Sequence, residues 1–180
     1  MSTEQTDLRE GSVRVALGDL LRSEWNSANA AGYDPTVSEG NGKHLNVTLG
    51  TYDENGPDPQ IALRDVSEMP TGGDGYSAIK ATGAGPIQTS RGRIDCNVFT
   101  GAQDDLPEHP QLLAKRIGLE VREIIHDNAQ GIMDSATGEL LVTDVACSRP
   151  RVTPDTDRPT VEWIGRCEVT YTIHDDPPER

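Results

Sequence analysis

The stretch from Thr160 to Ile173 alternates for fourteen residues, with Val161, Trp163, Gly165, Cys167, Val169, Tyr171 and Ile173 at every second position. A period of two sustained that far is the pattern of a β-strand with one face buried. It is long for one strand, and Gly165 in the middle of the row reads as a bulge or bend.

The same test divides the rest of the chain. Leu45–Leu49 alternates cleanly, Gln60–Val66 reads as a second strand, and Arg91–Thr100 alternates with Ile94, Cys96 and Val98 on one face and Arg93, Asp95 and Asn97 on the other. Tyr76–Lys80 and Glu139–Cys147 read as further strands. Asp53–Pro59 is turn chemistry, so the two strands that flank it read as a long hairpin. Thr71–Gly75 marks the next reversal, and Thr82–Pro86 is too glycine-rich to continue a sheet. Asp104–Pro110 breaks the chain, and Pro150–Pro159 reads as a polar connector.

Two segments follow helical spacing instead. From Leu8 to Asn26, Val13, Leu17, Leu20, Leu21 and Trp25 form an apolar stripe opposite Arg14, Asp19, Arg22 and Glu24. From Gln111 to Asn128 the stripe is Leu113, Ile117, Val121, Ile124 and Ile125, with Arg116, Glu120, Arg122 and Glu123 facing water and Gly131 placed to stop the helix. The order is helix, four strands, helix, two strands. Strands grouped and helices segregated predict an α+β fold, a mainly antiparallel sheet with two amphipathic helices packed on one face. One domain of residues 1–180, ordered over about 8–174, is the expectation for this length, with 175–180 a frayed tail.

Charge bears on setting. Thirty acidic residues face sixteen basic ones, for a formal charge of −14, and only Lys43, Lys80 and Lys115 are lysines among the basic residues. Such a coat repels itself in dilute buffer, whereas at molar salt the Debye length falls to about 3 Å. An acid-rich, lysine-poor chain with 34% apolar residues reads as built for a salt-saturated, haloarchaeal cytoplasm. No segment reaches the ~20 apolar residues of a membrane span. The polar start Met1–Asp7 has no signal-peptide character, so a soluble chain made in the cytoplasm is expected. No basic stripe is visible along the sequence to neutralise nucleic-acid phosphates.

Chemistry is sparse. Cys96, Cys147 and Cys167 are far apart, outside any CxxC pair, and read as small buried hydrophobes. Gly83–Pro86 lacks the lysine and helix of a phosphate loop, and Gly72–Gly75 reads as a turn. Glu108–His109 and His126–Asp127 are adjacent pairs, which on a helix point about 100° apart and chelate poorly. His126 suits a helix C-terminus. His44 and His174 fall near strand ends, and Asp53, Asp58 and Asp74 read as solvated acids. No nucleophile elbow is present. The expectation is no catalytic, cofactor-binding or metal-binding residue, no cofactor, and no enzyme. Convergence of His44, His126 and acidic side chains in one cleft would instead favour a small halophilic α+β enzyme or ligand-binding domain.

The layout resembles a known family. A helix ending Leu20-Leu-Arg-Ser-Glu-Trp25 precedes the strand Gln60-Ile-Ala-Leu-Arg-Asp-Val66. Gly92-Arg-Ile-Asp-Cys-Asn-Val-Phe-Thr100 then feeds the helix of 112–128, and Arg166-Cys-Glu-Val-Thr-Tyr-Thr-Ile173 closes the order. From about Val13 to Ile173 this is similar to the tail terminator, or tail completion, proteins of long-tailed viruses. The turn 51–59 and the connector 149–159 are longer than a minimal member needs. The resemblance implies a virion neck protein forming a ring, usually a hexamer. Such a ring caps the tail tube and joins the head–tail connector, and DNA passes through its lumen without specific binding. A head-closure or adaptor protein is the neighbouring alternative. The loops 70–75 and 81–92 are the expected partner contacts.

Overall fold

The computed structural model describes residues 3–70, 77–81, 85–101 and 109–175. Among them the order is α1 (Thr3–Glu24), β1 (Asn46–Leu49), β2 (Gln60–Pro70), β3 (Ser77–Ala81) and β4 (Gly85–Thr100). There follow α2 (Pro110–Asp127), β5 (Gly131–Met133), β6 (Leu140–Cys147), β7 (Arg151–Pro154) and β8 (Trp163–Asp175). The predicted turns at 71–75 and 104–108, the residues 82–84 and the tail 176–180 lie outside the described residues.

The long alternation does organise the molecule. β8 pairs antiparallel with β4 without interruption from Thr100↔Trp163 to Gln88↔Asp175. The sheet continues as β1-β2-β4-β8-β6-β5, with β3 added to the far end of β4 and β7 beside the near end of β8. β6 and β7 run the same way along β8 and behave as one strand broken at Ser148–Pro150. Six of the seven strand pairings are antiparallel, so the fold is α+β with a mixed sheet.

The exception corrects the hairpin expected around Asp53–Pro59. β1 and β2 are parallel, with Asn46 opposite Gln60 and Leu49 opposite Leu63. The chain from 50 to 59 therefore runs back along β1 before β2 begins. The buried Gln60 side chain holds that return: Oε1 accepts from Asp53 N–H (3.1 Å), and Nε2 donates to the carbonyls of Asp53 (2.8 Å) and Gly56 (3.2 Å). Turn residues announce a reversal, but they do not say whether the next strand pairs after one reversal or two.

Other expectations shift for local reasons. Gly165 is no bulge, since the β4–β8 register runs through it unbroken. A side chain there would lie 3.0 Å from the Ala114 carbonyl oxygen, so the glycine lets α2 approach the sheet. Gly85 and Pro86 belong to β4 despite the glycine-rich context. Gly131 opens β5 instead of stopping α2. The helix ends at Asn128, whose side-chain N–H donates to Ile124 O at 2.8 Å. Pro110 starts that helix, where no N–H is needed. The connector 150–159 contains β7, whose four residues are too few for periodicity to register.

Both helices cover one face of the sheet. Val13, Leu17 and Leu21 of α1 and Leu113, Ile117, Val121 and Ile125 of α2 are buried against Ile61, Leu63, Ile94, Cys96, Val98, Cys167 and Val169. Each strand contributes the alternate residues that its sequence pattern marks. Trp25 packs partly buried at the margin and donates its indole N–H to Tyr33 O at 2.8 Å. Glu120, expected in water, is 3% exposed. It accepts from Asn26 N–H (2.9 Å) and Asn29 Nδ2 (2.7 Å), closing the turn after α1 against α2.

Candidate functional site

The other face of the sheet has no helix over it among the described residues. Its register places side chains in rows across the strands. Next to one end lies the row Gln60, Phe99, Ile164 and Thr153, and beyond it Ala62, Asn97, Arg166 and Arg151. Arg64, Asp95 and Glu168 form the next row, Val66, Arg93, Thr170 and Ala146 another, and Arg91, Thr172 and Thr143 the one after.

The first of these rows is covered, together with Ala62 at the start of the second. Phe99, Ala62, Ile164 and Val161 make a small apolar cluster, closed by Tyr52 from the loop 50–59. The Tyr52 and Phe99 rings lie 4.9 Å apart, and the Arg158 guanidinium sits over both, at 5.4 and 4.9 Å. Asp155 fixes Arg158 at 2.8 Å. The Tyr52 hydroxyl lies 3.2 Å from each carboxylate oxygen of Asp58 and 3.3 Å from Thr160 Oγ1, which ties the two covering loops together. Burial pushes Asp58 up to about 6, with the hydrogen bonds from Tyr52 and Gln60 pulling the other way. Asp58, expected as a solvated acid, is therefore a half-buried hinge between loops.

The uncovered rows are charged. Arg93 Nε donates to Asp95 at 2.8 Å and its Nη2 lies 3.7 Å from Glu168, so β4 and β8 are linked by charge at the centre. The hydrogen bond to Asp95 holds the Arg93 guanidinium above its already high range. Arg64, Arg91, Arg151 and Arg166 are exposed on the same face. Asp65, one residue after Arg64, points the opposite way and meets Arg14 of α1 at 3.4 Å.

A second opening lies on the helix side at the β5 edge. It is a groove of about 770 Å³ between α1, the end of α2 and β5, with Leu20, Met133 and Leu140 in its lining. Met133 and Leu140 are 61% and 54% exposed. Asp19 and Asp127 are the charged side chains that line it.

The candidate chemical groups do not converge. His44 is held in the loop before β1 by Nδ1 against Val37 O at 2.6 Å, while His126 is exposed in the last turn of α2. His109 caps the start of α2, its Nδ1 accepting from Gln111 N–H at 3.2 Å. Asp53 accepts from Asn55 N–H at 3.0 Å and is a turn residue. Asp74 and Glu108 lie outside the described residues, as do the structural details of the His174 side chain. Among the described residues no three His, Cys, Asp or Glu groups are arranged to hold a metal.

The three cysteines, distant in sequence, do come together. Cys96 and Cys167 are register partners on the helix side of the sheet, and Cys147 of β6 lies beside them, its Sγ donating to Ser148 O at 3.5 Å. All three are free and buried, and burial pushes the Cys96 thiol well above its usual range. They pack as apolar groups under α2, where Cys167 Sγ lies 3.6 Å from Gly118 O.

No protein-family model matches the chain, and no curated protein matches it. No described helix is long and apolar enough to cross a membrane. The open sheet face and the groove are the surfaces that packing leaves uncovered among the described residues.

Proposed function

We propose that this chain is a structural protein of a virion neck, a tail terminator whose copies form a ring on the end of a tail tube. The observation that carries the reading is the one-sided sheet. β2, β4 and β8 are packed by two helices on one face and present charged, uncovered rows on the other. The segments on which the family resemblance rests, 60–66 and 92–96, supply Arg64, Arg93 and Asp95 to that open face. A lean core gains from such an arrangement, because assembly buries area the isolated subunit leaves in water. The acidic remainder of the surface lets DNA pass without sticking. The low lysine content supports a haloarchaeal host, where salt would screen the charge.

The test is to mix the purified protein, at about 2 M salt where screening is short-ranged, with tail tubes and image them by electron microscopy. Rings seated on tube ends are expected. Binding to the portal or adaptor alone would replace the reading with a head-closure role. A monomer that ignores both but binds a metal or small ligand would replace it with the enzyme or ligand-binding alternative. Removal of residues 71–75 is expected to weaken attachment to tubes; unchanged attachment would exclude that loop from the contact.

A further inference from the structure

The arginines of the open face come from four separate strands. Arg64 is on β2, Arg91 and Arg93 on β4, Arg151 on β7 and Arg166 on β8. Against these five stand Asp95 and Glu168 on the same rows. With sixteen basic and thirty acidic residues in all, the rest of the chain is left with eleven and twenty-eight. Among the described residues, an acidic chain thus carries a face on which arginines outnumber acids.

Folding does not require that face. Arg151 and Arg166 sit directly opposite each other across β7 and β8, the placement in which like charges destabilise a strand pair. Among the described residues Arg64, Arg91 and Arg151 form no ion pair, and Arg166 feels a carboxylate only through the field it shares with Asp155. A cost of this kind, borne by a subunit alone, is relieved by an anionic surface arriving from outside.

The groove beside β5 is the complementary feature. Leu20, Met133 and Leu140 are among its lining, Met133 and Leu140 are exposed, and its charged lining is Asp19, which lies 3.6 Å from Arg22, and Asp127. Apolar surface combined with polar groups is the anatomy of a protein contact. The groove lies on the helix side of the sheet and the arginines on the other side, so one subunit cannot bring its own two surfaces together.

We propose that these two surfaces are the two halves of a head-to-tail contact between copies of this chain, the arginine face of one subunit receiving the acid-lined groove of the next. A contact between unlike surfaces leaves one of each free, so it propagates and closes into a ring when the rotation allows. Nucleic acid fits the face less well. Asp95 and Glu168 stand in the middle of the arginines, where phosphates would meet them, and the surrounding acidic surface repels a polyanion. The contact rests on the reading above in one respect, that copies associate. It assigns the surfaces through which they do so.

The experiment is light scattering over a concentration series at about 1 M salt, where only direct charge contacts survive screening. It compares the wild type with Arg151→Glu/Arg166→Glu and with Asp19→Arg/Asp127→Arg, folding being checked by circular dichroism. Each double variant is expected to weaken self-association at least about tenfold, as loss of charge complementarity does elsewhere. An equal mixture of the two is expected to restore the wild-type mass, because each reversed surface then meets its reversed complement. Should a reversal not fold, Arg151→Gln/Arg166→Gln is the milder replacement. Folded variants that assemble like the wild type overturn the contact while leaving the neck role standing if tubes are still capped. A wild type that stays monomeric at every concentration and caps no tubes overturns both. Loss of binding to a duplex DNA oligonucleotide in the arginine variant, with assembly unchanged, would reassign the face to nucleic acid.

Discussion

The two faces of the sheet are made from the same strands and follow different rules. Among the described residues, twenty-five buried apolar residues form one cluster on the helix side. On the open side four do, Ala62, Phe99, Val161 and Ile164, and they occupy only the end that the loops 50–59 and 155–162 cover. Alternate residues of β4 show the contrast most directly: Ile94, Cys96 and Val98 are fully buried while Arg91, Arg93, Asp95 and Asn97 face outward. One face carries the stability of the subunit. The other carries charged groups that the packing leaves in water.

That division can be broken by mutation. Ile117→Ala, in the centre of α2 and fully buried, is expected to lower unfolding stability by about 3–4 kcal/mol in a urea titration. A loss below about 1 kcal/mol would mean that the helix side is not the core. Next in size is Glu120→Ala, which strips the acceptor from Asn26 N–H and Asn29 Nδ2. Leaving those donors unsatisfied is expected to cost about 2–3 kcal/mol and to speed hydrogen exchange at Asn26.

The covered end of the open side gives a pH-dependent test. Folding raises Asp58 from 3.8 to about 6, so between those values the folded chain holds a proton that the unfolded chain has lost. Stability therefore falls as pH rises through that window, and the cost is complete above about 6. Asp58→Asn keeps an acceptor for Tyr52 and does not ionise. It is expected to be more stable than wild type by about 1–2 kcal/mol at pH 7.5, allowing for solvent screening of a half-buried group, with the gain fading by pH 4. Equal gains at both pH values would show that charge burial at Asp58 is not the cause.

The smallest effect belongs to the uncovered rows. Arg64→Ala is expected to change the stability of the isolated subunit by less than about 0.5 kcal/mol, since its guanidinium touches no carboxylate among the described residues. A larger loss, measured at a concentration where the protein is monomeric, would make the open face part of the fold. The whole comparison also shifts with solvent. If the acidic coat is built for molar salt, the melting temperature falls as salt drops to about 0.1 M and the Debye length grows to about 10 Å; an unchanged value would remove the halophilic part of the proposal.

Much of this was open to a reader of the sequence alone. The stripe Leu113, Ile117, Val121, Ile124 and Ile125 identifies α2, and every one of these residues is buried. The alternation of 160–173 identifies β8 and its buried row from Cys167 to Ile173. Those signals are legible because helix and strand periods are local: a side chain's direction follows from its neighbours in the chain. Glu120 was not legible, because a carboxylate on the edge of an apolar stripe looks solvated until another segment supplies its donors. The direction of β1 against β2 was hidden in a loop whose return path depends on Gln60, a residue with no turn signature.

The sequence by itself determined which residues turn inward, and hence the two helices, most strands and the α+β class. Only the tertiary structure decided which outward residues become neighbours. Arg64, Arg91, Arg93, Arg151 and Arg166 span more than half the chain with no basic stripe among them in sequence, and strand register sets them on one face. Register is a relation between distant segments, fixed by burial of the opposite face. The surface left over after the core is packed is therefore the part of this protein that its sequence conceals.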